Sequence, residues 1–331
     1  KKSEVFLPGK WPTYYSKAKG CNVWDMNKLK YLDMYFGVGT NTLGYANSEV
    51  DRAVINRVNK SNMSTLNNYQ EVELAEKLIQ MHKWADMAWF ARSGGEANAI
   101  AIRIARAASR KDKIAICGYH GWHDWYLSVN LNSSNSLKNH LLDGLTSDGI
   151  PKGLKNTVFP FNYNDYEALL DLTNKHDIGT IKMEVSRSNK PNKEFLKKVR
   201  KLTKEKNIIL IFDECTSGFR ESYGGLHLNY GIDPDLAMFG KALGNGYAIT
   251  SVIGRREIME VVRNTFISST FWTEGIGPAA AIETLKIMKR DKSWKYISKL
   301  GKNIKSQWKQ LAANNNLNII INGLDALPSF N

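Results

Sequence analysis

Short apolar runs alternate along the middle of the chain with longer stretches in which apolar residues recur every three or four positions. The short runs lie at Asp86 to Phe90, Lys113 to Cys117, Thr157 to Phe159, Ile178 to Glu184, Asn207 to Asp213, Asp235 to Gly240 and Tyr247 to Gly254. Such runs predict strands buried on both faces, as in a parallel sheet. The periodic stretches predict helices over 47–59, Tyr69 to His82, Ala99 to Ala108, Asp165 to Lys175, 193–206, a helix opening at Gly277, and Trp294 to Ala313. Residues 1–20 read as an extended arm, Val23 to Asp25 and Lys30 to Phe36 as two strands of a small sheet, and Leu317 to Ile321 as a strand. Residues 128–156, rich in Asn, Ser and Gly without a period, read as a long loop over the active site. Strand and helix in alternation give an α/β chain, with no internal repeat.

The chemistry gathers at strand ends. The run to Phe212 closes on Asp213 and Glu214, and the run to Gly240 closes directly on Lys241. Ligands of open α/β sheets bind beyond the carboxyl ends of the strands, so both side chains stand where a site is expected. A lysine and a carboxylate so placed are what pyridoxal phosphate (PLP) needs: an amine for its Schiff base and an acid for its pyridine nitrogen. Taken alone, the pair reads more readily as a structural ion pair, or as a surface lysine after a strand. The wording around it decides more. Phe212-Asp213-Glu214-x-x-Ser217-Gly218-Phe219-Arg220, followed by Gly240-Lys241-Ala-Leu-Gly-x-Gly246, resembles the signature of class III PLP-dependent aminotransferases, in the glutamate-1-semialdehyde aminomutase-like branch. Arg92-Ser93-Gly94-Gly95-Glu96 between a strand and a helix, Tyr119-His120-Gly121 after the next strand, and Ser269-Thr270-Phe271-Trp272 further on extend the likeness over most of the chain.

The resemblance implies PLP fold-type I. A large domain at 46–290 would hold a mostly parallel central sheet flanked by helices. A smaller α+β domain would draw on the arm at 1–45 and the segment 291–331, which looks like the start of a truncated small domain. It implies Lys241 and Asp213 as catalytic residues. The phosphate would rest on Ser93, Gly94 and Gly95, where free N–H groups at a helix start favour an anion, and on Thr270 reaching in from a homodimer partner. Family members usually carry a Ser or Thr where Gly95 stands, which removes one side-chain contact. Tyr119 would stack on the ring and Cys215 close its other side, with His120 and Glu184 around the cofactor. Asn41 in the loop Gly37 to Gly44, Arg187 after a strand end and Trp272 are candidates for substrate contact; a bidentate arginine suits a carboxylate.

Composition narrows the alternatives. The net charge of +14 allows a polyanion as partner. Yet the densest basic run, Lys193 to Lys206, carries Phe195, Leu196, Val199 and Leu202 at helical spacing and reads as the wet face of a packed helix, so no nucleic-acid partner is expected. No apolar stretch is long enough for a membrane span. Three scattered cysteines point to a reducing, cytoplasmic setting. His120, His123 and Asp124 lie on a glycine-containing loop that does not converge ligands, so no metal is expected.

The expected activity is transfer of an amino group from an amino-acid donor, such as glutamate, to a small-molecule carbonyl acceptor. Lys241, as an uncharged amine, would move the proton at the substrate Cα. An intramolecular aminomutase is the alternative, and a degenerate binding protein a third reading, against which Lys241 itself argues. Aminomutases carry an arginine early in the chain for the substrate carboxylate; Leu7 to Tyr15 has none. The wording at Ser93 to Asn98 and Ser269 to Thr273 resembles relatives in modified-sugar or surface-polysaccharide synthesis.

Overall fold

The computed structural model describes residues 11–133, 136–138, 140, 145–186 and 190–331. The described chain opens on a three-stranded antiparallel meander: β1 (Tyr15–Lys19), β2 (Asn22–Asp25) and β3 (Lys30–Leu32). β1 falls inside the stretch expected as an unpaired arm. Asp25 closes the β2–β3 turn, its Oδ1 accepting from Asn27 N (2.8 Å) and Leu29 N (2.9 Å). The strand expected to run to Phe36 stops at Leu32. Asp33 Oδ1 accepts from the N–H groups of Tyr35 and Phe36, an Asx turn that competes with strand pairing.

Seven strands form the central sheet: β4 (Met87–Ala91), β5 (Lys113–Cys117), β6 (Val158–Pro160), β7 (Ile178–Glu184), β8 (Ile209–Asp213), β9 (Leu236–Phe239) and β10 (Thr250–Gly254). Their spatial order is β4-β10-β9-β8-β7-β5-β6, and β10 runs antiparallel to both its neighbours. Strand alternation divides the core. Ile181, Met183, Leu210 and Phe212 face the helix Lys193–Glu205, which buries Phe195, Leu196, Val199 and Leu202 as its spacing predicts. Each such side chain contributes about 2 kcal/mol of burial. Ile114, Ile116, Ile209, Ile211 and Met238 face the other way, toward Ile100, Ala101, Ile104 and Ala105 of the helix Gly94–Ser109. That second face also carries Glu184 and Asp213 by parity, so the ionisable ends of β7 and β8 stand beside the helix whose N-terminus Gly94 opens.

Two expectations need correction. In its described part, 128–156 is not loop throughout, though it does reach the site: His140 Nδ1 accepts from Gly118 N, beside Tyr119, at 2.9 Å. Turns of 3-10 helix run at Ser128–Leu131 and Lys152–Leu154, and Val129 and Leu137 join the core under the helix Gly94–Ser109. Nor does Leu317 begin a strand. Its N–H bonds to Ala312 O at 2.9 Å and closes the helix Ser293–Asn314; the strands are β11 (Ile321–Leu324) and β12 (Leu327–Phe330), a hairpin. The hairpin lies so close to the helix that a Cβ on Gly301 would overlap the Asp325 carbonyl. Among the described residues no helix is long and apolar enough to cross a membrane.

Candidate active site

β7, β8 and β9 end side by side, with Glu184 and Asp213 in register. Asp213 is almost fully buried. Its Oδ1 accepts from Cys215 N at 3.1 Å, and its Oδ2 lies 2.9 Å from His120 Nδ1 and 3.4 Å from Lys182 Nζ. Burial opposes the charge on Asp213. The Lys182 ammonium and the His120 hydrogen bond outweigh it and hold the carboxyl well below the usual range. Burial likewise lowers His120 to about 4, against the pull of two acceptors, Asp213 Oδ2 at Nδ1 and Cys117 O at 3.2 Å from Nε2. We assign its proton to Nδ1, donating to the charged acceptor.

Lys241 begins the turn of 3-10 helix Lys241–Gly244 with φ of 38°, left-handed backbone that costs a non-glycine residue about 1 kcal/mol. Its Nζ donates to Thr216 Oγ1 at 2.8 Å, which brings the amine to the turn that follows Asp213. Cys215 Sγ sits between two glycines: a Cβ on Gly240 would meet it at 3.3 Å and one on Gly94 at 4.0 Å. Burial raises the Cys215 thiol far above its ordinary range, which leaves it a packing group rather than a nucleophile.

The turn from Glu214 to His227 is braced from below. Glu214 Oε1 accepts from His227 Nδ1 (2.7 Å) and His227 N (2.9 Å), and its Oε2 from Ser217 Oγ and from Leu226 N (2.9 Å). His227 Nε2 accepts from Trp84 Nε1 at 3.0 Å, while His82 donates from Nδ1 to Leu78 O and accepts at Nε2 from Gly225 N. Every bond in this buried set has a defined donor, each ring donating from Nδ1 and accepting at Nε2. On the other side, the buried guanidinium of Arg220 bonds to Thr216 O, Gly39 O and Thr42 Oγ1 and ties the glycine-rich loop to the same turn. Asn41 lies there too, with its Oδ1 filling the space a Cβ on Gly246 would need.

Ser93 caps the helix Gly94–Ser109, its Oγ accepting from Glu96 N at 3.3 Å. Gly94 and Gly95 are the first residues of that helix, so their N–H groups have no carbonyl one turn back. Gly95 has no room for a side chain, because a Cβ there would run into the His123 ring. The place where the family carries a hydroxyl is thus filled by His123, whose Nδ1 is buried without a partner. Tyr119 N donates to Glu184 Oε2 at 3.0 Å, which makes Glu184 a positioning group for the tyrosine rather than a group on the sheet's far side.

Asp213, His120, Cys215, Lys241, Gly94, Glu184 and Tyr119 therefore come together. Trp272 does not join them within this chain. It packs edge-on against Trp89 at 4.7 Å and lines a cavity of about 280 Å³ with Glu71, Arg92 and Glu96, which Asp213 and Lys241 do not line. Thr270 sits in the same exposed segment, and Arg187 lies outside the described residues. Thr216, Lys182 and His123 were not among the expected site residues. Lys182 had a signal, a lysine inside an apolar run at the same parity as Glu184. The hydroxyl of Thr216 had none.

The model of the class III aminotransferase family matches residues 8–324. The chain belongs to the class III aminotransferases. Among curated relatives, a 3-aminobutyryl-CoA aminotransferase of Cloacimonas acidaminovorans is 34% identical, the match covering 98% of this chain and 76% of the relative. A glutamate-1-semialdehyde 2,1-aminomutase of Methanobrevibacter smithii is also 34% identical, over 86% of this chain and 70% of the relative. Among solved structures, the FumI protein of Sphingopyxis sp. in its PLP internal aldimine form superposes with a TM-score of 0.88 at 26% identity, covering 99% of this chain and 78% of that one. Class III aminotransferases depend on PLP, and the residues here fit that group. The carboxylate is buried and held charged, the amine lies at the adjoining strand end, and the helix start offers the N–H groups of Gly94 and Gly95, which have no carbonyl partner within the helix.

Proposed function

We propose that this class III aminotransferase moves an amino group from an amino-acid donor such as glutamate to a small carbonyl acceptor. The observation that carries the reading is the pairing of a buried, charged Asp213 with Lys241 held at the next strand end by Thr216. Bound PLP supplies an electron sink for the negative charge that develops at the substrate Cα. The chain's residues do the rest. Asp213 would hold the pyridine nitrogen with its negative charge, and Cys215 N–H and His120 fix the carboxylate's two oxygens. Lys241 Nζ, oriented by Thr216 Oγ1, takes the proton from Cα and returns it. The Ser93 hydroxyl and the N–H groups of Gly94 and Gly95 bind the phosphate. Glu184 sets the Tyr119 backbone, and with it the ring that would hold the cofactor by stacking.

A homodimer completes this reading, with Thr270 reaching the partner's phosphate site. Exposed apolar side chains around that segment support it: Phe266 is 87% exposed, Leu66 80% and Phe271 57%. The relatives named aminomutases favour a second reading, an amino shift inside one molecule. The acceptor remains an aldehyde or ketone, with a keto-sugar the class that the wording at Ser93 to Asn98 supports.

One spectroscopic experiment separates these readings. Purified protein given PLP should turn yellow, and Lys241→Ala should not. Added glutamate should then bleach the wild-type band, leaving the amino group on the cofactor. A band that glutamate leaves intact while an amino-aldehyde bleaches it would overturn the aminotransferase reading in favour of the aminomutase.

A further inference from the structure

Lys182 lies mid-strand in β7 and is completely buried. Its neighbours on that face of the sheet are Ile209, Ile211, Ile116 and Met238, among which an aliphatic side chain would pack at no electrostatic cost. Its Nζ approaches Asp213 Oδ2 at 3.4 Å and Met238 Sδ at 2.9 Å. A thioether is a weak acceptor, so Asp213 is the ammonium's counter-charge. The same Oδ2 already faces His120 Nδ1, and Cys215 and Glu184 stand nearby. Burial depresses the Lys182 amine, and Asp213 is the first influence that restores it.

None of the steps derived above uses this lysine. We propose that Lys182 is a second cation set against Asp213, competing with the protonated pyridine nitrogen of PLP for one carboxylate and so weakening the cofactor's hold on that proton. The inference rests on Asp213 facing the pyridine nitrogen. Two cations sharing one buried carboxylate each make the other easier to deprotonate. Lys182 is thus a positioning and tuning residue that acts through Asp213. Its role is to set how strongly the ring is protonated, not to touch substrate.

The test compares the affinity of the apoprotein for PLP and for 1-deaza-PLP, in which carbon replaces the pyridine nitrogen and no proton can be carried. Wild type should bind the two about equally. Lys182→Met should prefer PLP by about tenfold, the equivalent of one pKa unit, and Lys182→Met with Asp213→Asn should lose that preference. A strong preference already present in wild type, unchanged by Lys182→Met and lost in Asp213→Asn, would overturn the role of Lys182 and leave that of Asp213. A preference in no variant would overturn both. Lys182→Leu serves if the methionine variant folds poorly. A cofactor-free readout stands beside it: Asp213→Asn should lower the apoprotein's melting temperature, and adding Lys182→Met should restore it. Additive losses would sink the pairing.

Discussion

Lys241 is the residue whose backbone and side chain are both committed. Its left-handed φ turns the chain sharply after β9, and Thr216 receives the amine. Lys241→Ala should lower turnover by about 100- to 10,000-fold, the range of a lost acid–base group, without lowering the apoprotein's melting temperature. Steady-state kinetics and a thermal melt check both halves. Gly95→Ala tests the phosphate cradle. The added Cβ must displace the His123 ring, so PLP should bind about tenfold more weakly, as for one lost charge-assisted hydrogen bond. Fluorescence titration with PLP reads it, and unchanged affinity would show that His123 yields without consequence.

The turn from Glu214 to His227 behaves as an element, because both of its sides are tied. Arg220 grips the glycine-rich loop, and Arg220→Ala should cost about 3 kcal/mol of stability by freeing the buried Thr216 carbonyl and the half-buried Gly39 carbonyl. Denaturant unfolding measures it. Below the turn, burial lowers His82 to about 4 against an ordinary 6.5. A base with a depressed folded pKa takes up its proton more readily when unfolded. Stability is therefore intact above pH 6.5 and falls as pH drops from 6.5 toward 4, by about 3 kcal/mol. His82→Gln should flatten that part of the stability curve. At this scale Glu214 and Ser217 were visible in the chain only as parts of a motif; His227, which bonds Glu214, and Trp84, which bonds His227, are joined to them by folding, not by spacing.

For the whole molecule, the proposed dimer makes a sharp prediction. If Thr270 serves the partner's site, Lys241→Ala and Thr270→Val chains co-expressed in equal amounts should regain roughly a quarter of wild-type activity. Half the dimers would be hybrids with one complete site each. No recovery would place Thr270 in its own chain's site, and a Thr270→Val chain fully active by itself would place it in none. The strands β5 and β7 and the helix Lys193–Glu205 were legible nearly residue for residue, because apolar runs and helical spacing report burial directly. The positions of Asp213, Lys241 and Ser93-Gly94-Gly95 were legible too, since each sits where a strand ends or a helix begins. β1, the hairpin of β11 and β12, and the packed part of 128–156 were not, because short polar strands and core-filling turns owe their form to what lies across from them. What the sequence by itself determined was the order of elements and the chemistry at strand ends, both properties of local pattern. Only the tertiary structure placed Lys182 against Asp213, Thr216 under Lys241 and His123 in the space beside Gly95, since strand parity and packing bring together residues far apart in the chain.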